Sequence, residues 1–102
     1  MINPTKQKIY QALEDVIDLE LGIDVVNLGL IYEVNINEEN ECGIVMTMPS
    51  KGETIASTTV QTIKRTVERK VKDLAAIKVE IVWNPPWTME RMSPYARLEL
   101  DL

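Results

Sequence analysis

Histidine and phenylalanine are both absent from this 102-residue chain, and cysteine occurs once, at Cys42. Each absence removes a class of function. Without histidine there is no imidazole to act as acid or base near neutral pH, and no zinc site of the usual nitrogen–sulfur kind. A single cysteine permits neither an internal disulfide nor a multi-cysteine metal site. No apolar run reaches membrane-spanning length and no basic-then-apolar leader is visible, so a cytoplasmic setting is the expectation. The formal charge of −5 argues against a nucleic-acid footprint, which needs a basic face.

What is present suits one small domain. Hydrophobic residues make up 45% of the chain, enough for a single core at this length. Asn3-Pro4 is a helix cap followed by proline at the first helical position, predicting a helix to about Asp15 with Ile9, Leu13 and Val16 on one face. Residues 17–30 read as irregular and acid-bearing. Tyr32, Val34 and Ile36 then alternate with polar residues as a first strand, and Asn37-Glu38-Glu39-Asn40 makes a hairpin turn. The second strand, from Glu41 to about Met48, carries Cys42, Ile44, Met46 and Met48 on one face.

A long helix from about Glu53 to Val71 shows Ala56, Val60, Ile63, Val67 and Val71 as one apolar stripe continuing to Leu74. The third strand, Ala76 to Trp83, puts Ile77, Val79, Ile81 and Trp83 on one face. Ser93-Pro94 predicts a further short helical turn. The expected fold is α+β, one two-layer domain of order α-β-β-α-β. Its helices pack on one face of a small mixed three-stranded sheet, with the third strand returning parallel through a helical crossover.

Three segments carry chemistry. Trp83-Asn84-Pro85-Pro86-Trp87-Thr88 joins two large rings through a diproline that restricts the backbone, predicting a stiff, extended connector at a recognition surface. Ser50-Lys51-Gly52-Glu53 has the spacing of a capping box, in which serine and glutamate satisfy each other's amides at a helix start. The Glu53 carboxylate also favours the positive end of the helix dipole. Asp18, Glu20 and Asp24 alternate with Ile17, Leu19, Leu21 and Ile23, so an extended backbone would send the acids to one side. Paired carboxylates serve proton transfer or hold a hard cation. Cys42, on an apolar strand face, reads as a small hydrophobe.

Residues 18–32, from Asp18-Leu19-Glu20-Leu21-Gly22 through Asn27-Leu28-Gly29 to Tyr32, resemble the opening signature of the PaaD-like iron–sulfur assembly auxiliary family. Met46-Thr47-Met48-Pro49-Ser50-Lys51-Gly52 is similar to its central loop. Trp83-Asn84-Pro85-Pro86-Trp87-Thr88 with Arg91-Met92-Ser93 is similar to its C-terminal signature. The likeness runs from about Val16 to Leu98, with all three motifs in order. It implies a small α/β domain and a non-enzymatic factor like the one accompanying SUF iron–sulfur assembly. The implied partners are the assembly machinery and client apoproteins. No resident cofactor is firmly implied; transient contact with iron or an iron–sulfur cluster fits the likeness. The chain departs from the family at two points. Asp-Pro-Glu reads Asp18-Leu19-Glu20, and the cysteine at the helix start is Glu53, which can ligate iron only as a hard oxygen donor.

The resemblance implies a functional cleft of Asp18, Glu20, Asn27, Ser50 and Glu53, and a partner-binding surface of Trp83, Pro85, Pro86, Trp87 and Arg91. Two other classes compete: an adaptor that only binds partners, and a metal-dependent enzyme using Asp18, Glu20 and Glu53. The enzyme lacks a histidine, a nucleophile elbow and a phosphate-cradling glycine loop.

Overall fold

Helix α1 (Pro4–Leu13) begins where the sequence expects it. The Asn3 carboxamide oxygen accepts from the amides of Thr5 (2.9 Å) and Lys6 (3.2 Å), satisfying donors that the first turn would otherwise leave open. The computed structural model describes residues 3–49 and 53–102, with Glu53 and Thr54 described as helix backbone alone. Strands β1 (Ile31–Ile36) and β2 (Glu41–Met46) form the antiparallel hairpin, followed by α2 (Glu53–Lys70), β3 (Ala76–Ile81) and α3 (Pro94–Glu99). A 3-10 turn, Met89–Arg91, precedes α3. The sheet order is β1-β2-β3, with β3 parallel to the central β2.

The expected core assembles. Val34, Cys42, Ile44 and Met46 on the sheet meet Ile9, Leu13, Ile63 and Val67 on the helices, all buried. The opposite face carries exposed Glu33, Asn35, Lys78 and Glu80, so the alternation reports which side is covered. Helix α3 starts on the Ser93 hydroxyl, which accepts from the Ala96 amide at 3.1 Å.

Three local expectations need correction. First, Tyr32 does not share the core face with Val34. Ile31 pairs with Met46 and Glu33 with Val45, leaving Tyr32 as the extra residue of a β-bulge. Bulges re-aim a side chain, and Ile31 packs against the core where Tyr32 was expected. Second, the strand ends at Ile81, and Trp83 is 38% exposed. Third, the chain bends at Asn84 and Pro85, whose peptide bond is cis. The connector expected to be extended is therefore bent at this point.

Candidate functional site

The acid-bearing segment is a folded turn, not an extended run. Ile17 bridges Asp24, and the chain reverses between them with Gly22 at φ +71°. Burial does not follow simple alternation: Asp18 and Asp24 are 8% and 7% exposed, while Leu19 is 88% exposed. The cause is local hydrogen bonding. An Asp18 carboxylate oxygen accepts from the amides of Glu20 and Leu21, each at 2.9 Å. Asp24 accepts from the Asn27 amide at 3.0 Å and from the Asn27 side-chain NH2 at 2.8 Å. Short carboxylates favour such turns because they supply the acceptors that the bent backbone lacks.

Asn27 connects this turn to the far end of the chain. Its side-chain oxygen accepts from the Ser93 hydroxyl at 2.6 Å, and its carbonyl accepts from the Ser93 amide at 2.8 Å. One residue on, the Leu28 carbonyl accepts from the Trp87 indole at 2.7 Å. Gly29, at φ +77°, lies so close to Arg91 that a Cβ would overlap its carbonyl. The central strand joins as well, with the Thr47 amide donating to the Leu30 carbonyl at 2.9 Å. The opening and C-terminal signatures are thus one structural unit.

Three of the five expected cleft residues fall within the described side chains. Asp18 and Glu20 occupy one turn; Asn27 is bonded to Asp24 and Ser93. Glu20 lines a groove of about 410 Å³ with Leu21, Pro49, Trp87, Met89 and Met92, which brings it beside the residue preceding Ser50. Ser50 and the Glu53 side chain lie outside the described residues. Among the described residues, no three acidic or thiol groups gather as a metal cage. Cys42 is buried in the core, and burial pushes its thiol up from the ordinary value, because a thiolate there would be desolvated.

The expected partner surface borders two hollows. Trp83, Asn84, Pro86 and Trp87 wall a cavity of about 380 Å³ with Thr47, Met48 and Pro49. Pro85 and Arg91 face a separate hollow with Gly29, Ile31 and Tyr32. Thr47 also lines the first cavity. It is buried and its hydroxyl has no hydrogen-bond partner among the described residues. A polar residue between two methionines at a strand end was the only sequence sign of it.

The sequence matches the profile described as iron–sulfur cluster assembly protein over residues 6–82. The chain belongs to that family. It is 44% identical over 100 residues to the Fe-S protein maturation auxiliary factor YitW of Bacillus subtilis strain 168, covering 95% of this chain and 94% of the relative. It is 45% identical over 87 residues to the Fe-S protein maturation auxiliary factor SufT of Staphylococcus aureus strain USA300, covering 85% and 98%. A crystallised domain of unknown function from Bacillus anthracis superposes with a TM-score of 0.91 at 45% identity, covering 96% and 92%. The family fold and the α+β order derived from the sequence therefore agree. No helix among the described residues is long and apolar enough to cross a membrane.

Proposed function

We propose that this chain is a non-enzymatic auxiliary factor in iron–sulfur cluster maturation, working in the cytoplasm through the assembly machinery and client apoproteins. The observation that carries this reading is the union of the family signatures. Trp87 and Ser93 are tied to Leu28 and Asn27 by bonds of 2.7 and 2.6 Å. Such coupling holds apolar rings and a carboxylate-bearing turn as one rigid face, which suits protein recognition. Iron, as cargo, would meet an oxygen donor at Glu20 on that face, since Cys42 is buried in the core. The charge of −5 disfavours nucleic acid as a partner.

The test is complementation. Cells lacking the native factor receive each variant, and the specific activity of an iron–sulfur dehydratase is measured at equal protein abundance. The wild-type chain and Cys42→Ser should restore activity. Glu53→Ala should restore less, and Glu53→Gln should separate charge from helix capping, because an amide still closes a capping box. Failure of the wild-type chain would overturn the proposal; an inactive Cys42→Ser would overturn its cysteine independence.

A further inference from the structure

Arg91 is the one candidate-surface residue with a charge, and the structure fixes it in an unusual way. Its guanidinium carbon stands 4.5 Å from the centroid of the Tyr32 ring. The ring is itself held, because the Tyr32 hydroxyl donates to the Pro85 carbonyl at 2.7 Å. Behind it, Gly29 presses on the Arg91 backbone so closely that no side chain fits between them. The arginine is therefore anchored at the main chain by one family signature and at the guanidinium by the bulged residue of β1. Its side chain is nevertheless exposed. Among the described residues the guanidinium has no carboxylate partner and no hydrogen-bond acceptor.

A guanidinium held over a ring by its central carbon keeps N–H donors available to a further partner. A planar fork already oriented loses little freedom on binding, so it is suited to bidentate capture of a carboxylate. Around it lies an open hollow of about 530 Å³ whose walls include Ile31 and Pro85, giving apolar surface beside the charge. One arginine on a chain of charge −5 matches a monoanion better than a phosphate dianion, which usually draws a cluster of basic groups.

We propose that the Arg91–Tyr32 hollow is a docking site for an acidic side chain, aspartate or glutamate, presented by a partner protein next to an aliphatic residue. The carboxylate takes the arginine fork and the aliphatic neighbour covers Ile31 and Pro85. This rests on the reading of the chain as a protein-binding maturation factor, and it names the chemistry of one contact.

The experiment uses the purified full chain and two pools of capped hexapeptides. The pools differ only in having glutamate or glutamine at one fixed place, followed by leucine. Binding is followed by the NMR signals of the Arg91 side chain and the Tyr32 ring. The glutamate pool should bind about tenfold more tightly than the glutamine pool, the difference expected when one charge-assisted bidentate contact is lost. Arg91→Gln should abolish the preference. Arg91→Lys and Tyr32→Leu should each reduce it severalfold, the first by removing the fork and the second by removing the platform. Succinate at the same carboxylate concentration should not compete.

Equal binding of the two pools, or a preference that survives in a folded Arg91→Gln, would overturn the site. Competition by succinate as effective as by peptide would overturn a protein segment as its occupant. These outcomes are independent of complementation. A chain that restores dehydratase activity without glutamate preference loses this inference alone, and one that shows the preference without restoring activity loses the maturation role.

Discussion

Two glycines with nearly the same backbone geometry give a sharp test of how the C-terminal segment is held. Gly22 and Gly29 have φ values of +71° and +77°, yet a Cβ at Gly22 meets nothing within 4 Å, whereas at Gly29 it would overlap Arg91. Alanine at Gly22 therefore incurs only the left-handed cost, about 1–2 kcal/mol. The less flexible unfolded chain offsets about 0.4–1 kcal/mol of that. A net loss of about 1 kcal/mol follows. Gly29→Ala carries the same cost and must also displace the backbone at Arg91. That movement strains the bonds from Trp87 to Leu28 and from Ser93 to Asn27, each worth about 0.5–1.5 kcal/mol. It also disturbs buried Met92 and Ala96.

The expected loss for Gly29→Ala is about 3 kcal/mol or more, roughly 2 kcal/mol beyond Gly22→Ala. Urea unfolding by far-ultraviolet circular dichroism gives both values, and tryptophan fluorescence reports on the displaced segment directly through Trp83 and Trp87. If the two variants fall within about 0.5 kcal/mol of each other, the close approach at Arg91 does not hold the segment in place.

Ile63 is fully buried on the apolar stripe of α2, and Ile63→Ala should cost about 2–5 kcal/mol by the same unfolding measurement; a loss under about 1 kcal/mol would contradict the packing of α2 on the sheet. Burial raises the Cys42 thiol above its ordinary value, so the native state favours the protonated form. The associated stability is complete below the unfolded thiol value of about 8.5 and declines as pH rises through it. Cys42→Ala should flatten the part of this decline that begins at about pH 8.5, below the range of about pH 10 where tyrosines and lysines lose most of their protons; an unchanged slope there would remove Cys42 as its source.

The parts of the fold written in short-range chemistry were legible in the sequence. Asn3-Pro4 and Ser93-Pro94 both open helices as their capping pattern predicts, because a cap needs only residues two or three apart. The strand faces were legible too, since alternation maps directly onto burial in a sheet with one covered side. Tyr32 escaped that logic. A bulge shifts the alternation by one residue, and nothing between Leu30 and Val34 signals it. The inverted burial of Asp18 and Leu19 arises from amide acceptors that exist only once Gly22 has turned the chain. The union of the two signatures was hidden for a different reason: Trp87 meets Leu28 across 59 residues and Ser93 meets Asn27 across 66. Pairings at such separations leave no periodicity to read.

That union has a consequence for where this domain ends. The family profile matches as far as residue 82, but the partners of Asn27, Leu28 and Gly29 are Ser93, Trp87 and Arg91. The end of the profile match and the boundary of the folded unit are different lines on this chain. Cut at the first, a fragment would keep every strand and both long helices. It would also bare the Leu28 carbonyl and the Asn27 side chain, and uncover the core side that Met92 and Ala96 close. The last twenty residues act as a clasp, without which the rest of the architecture is left open.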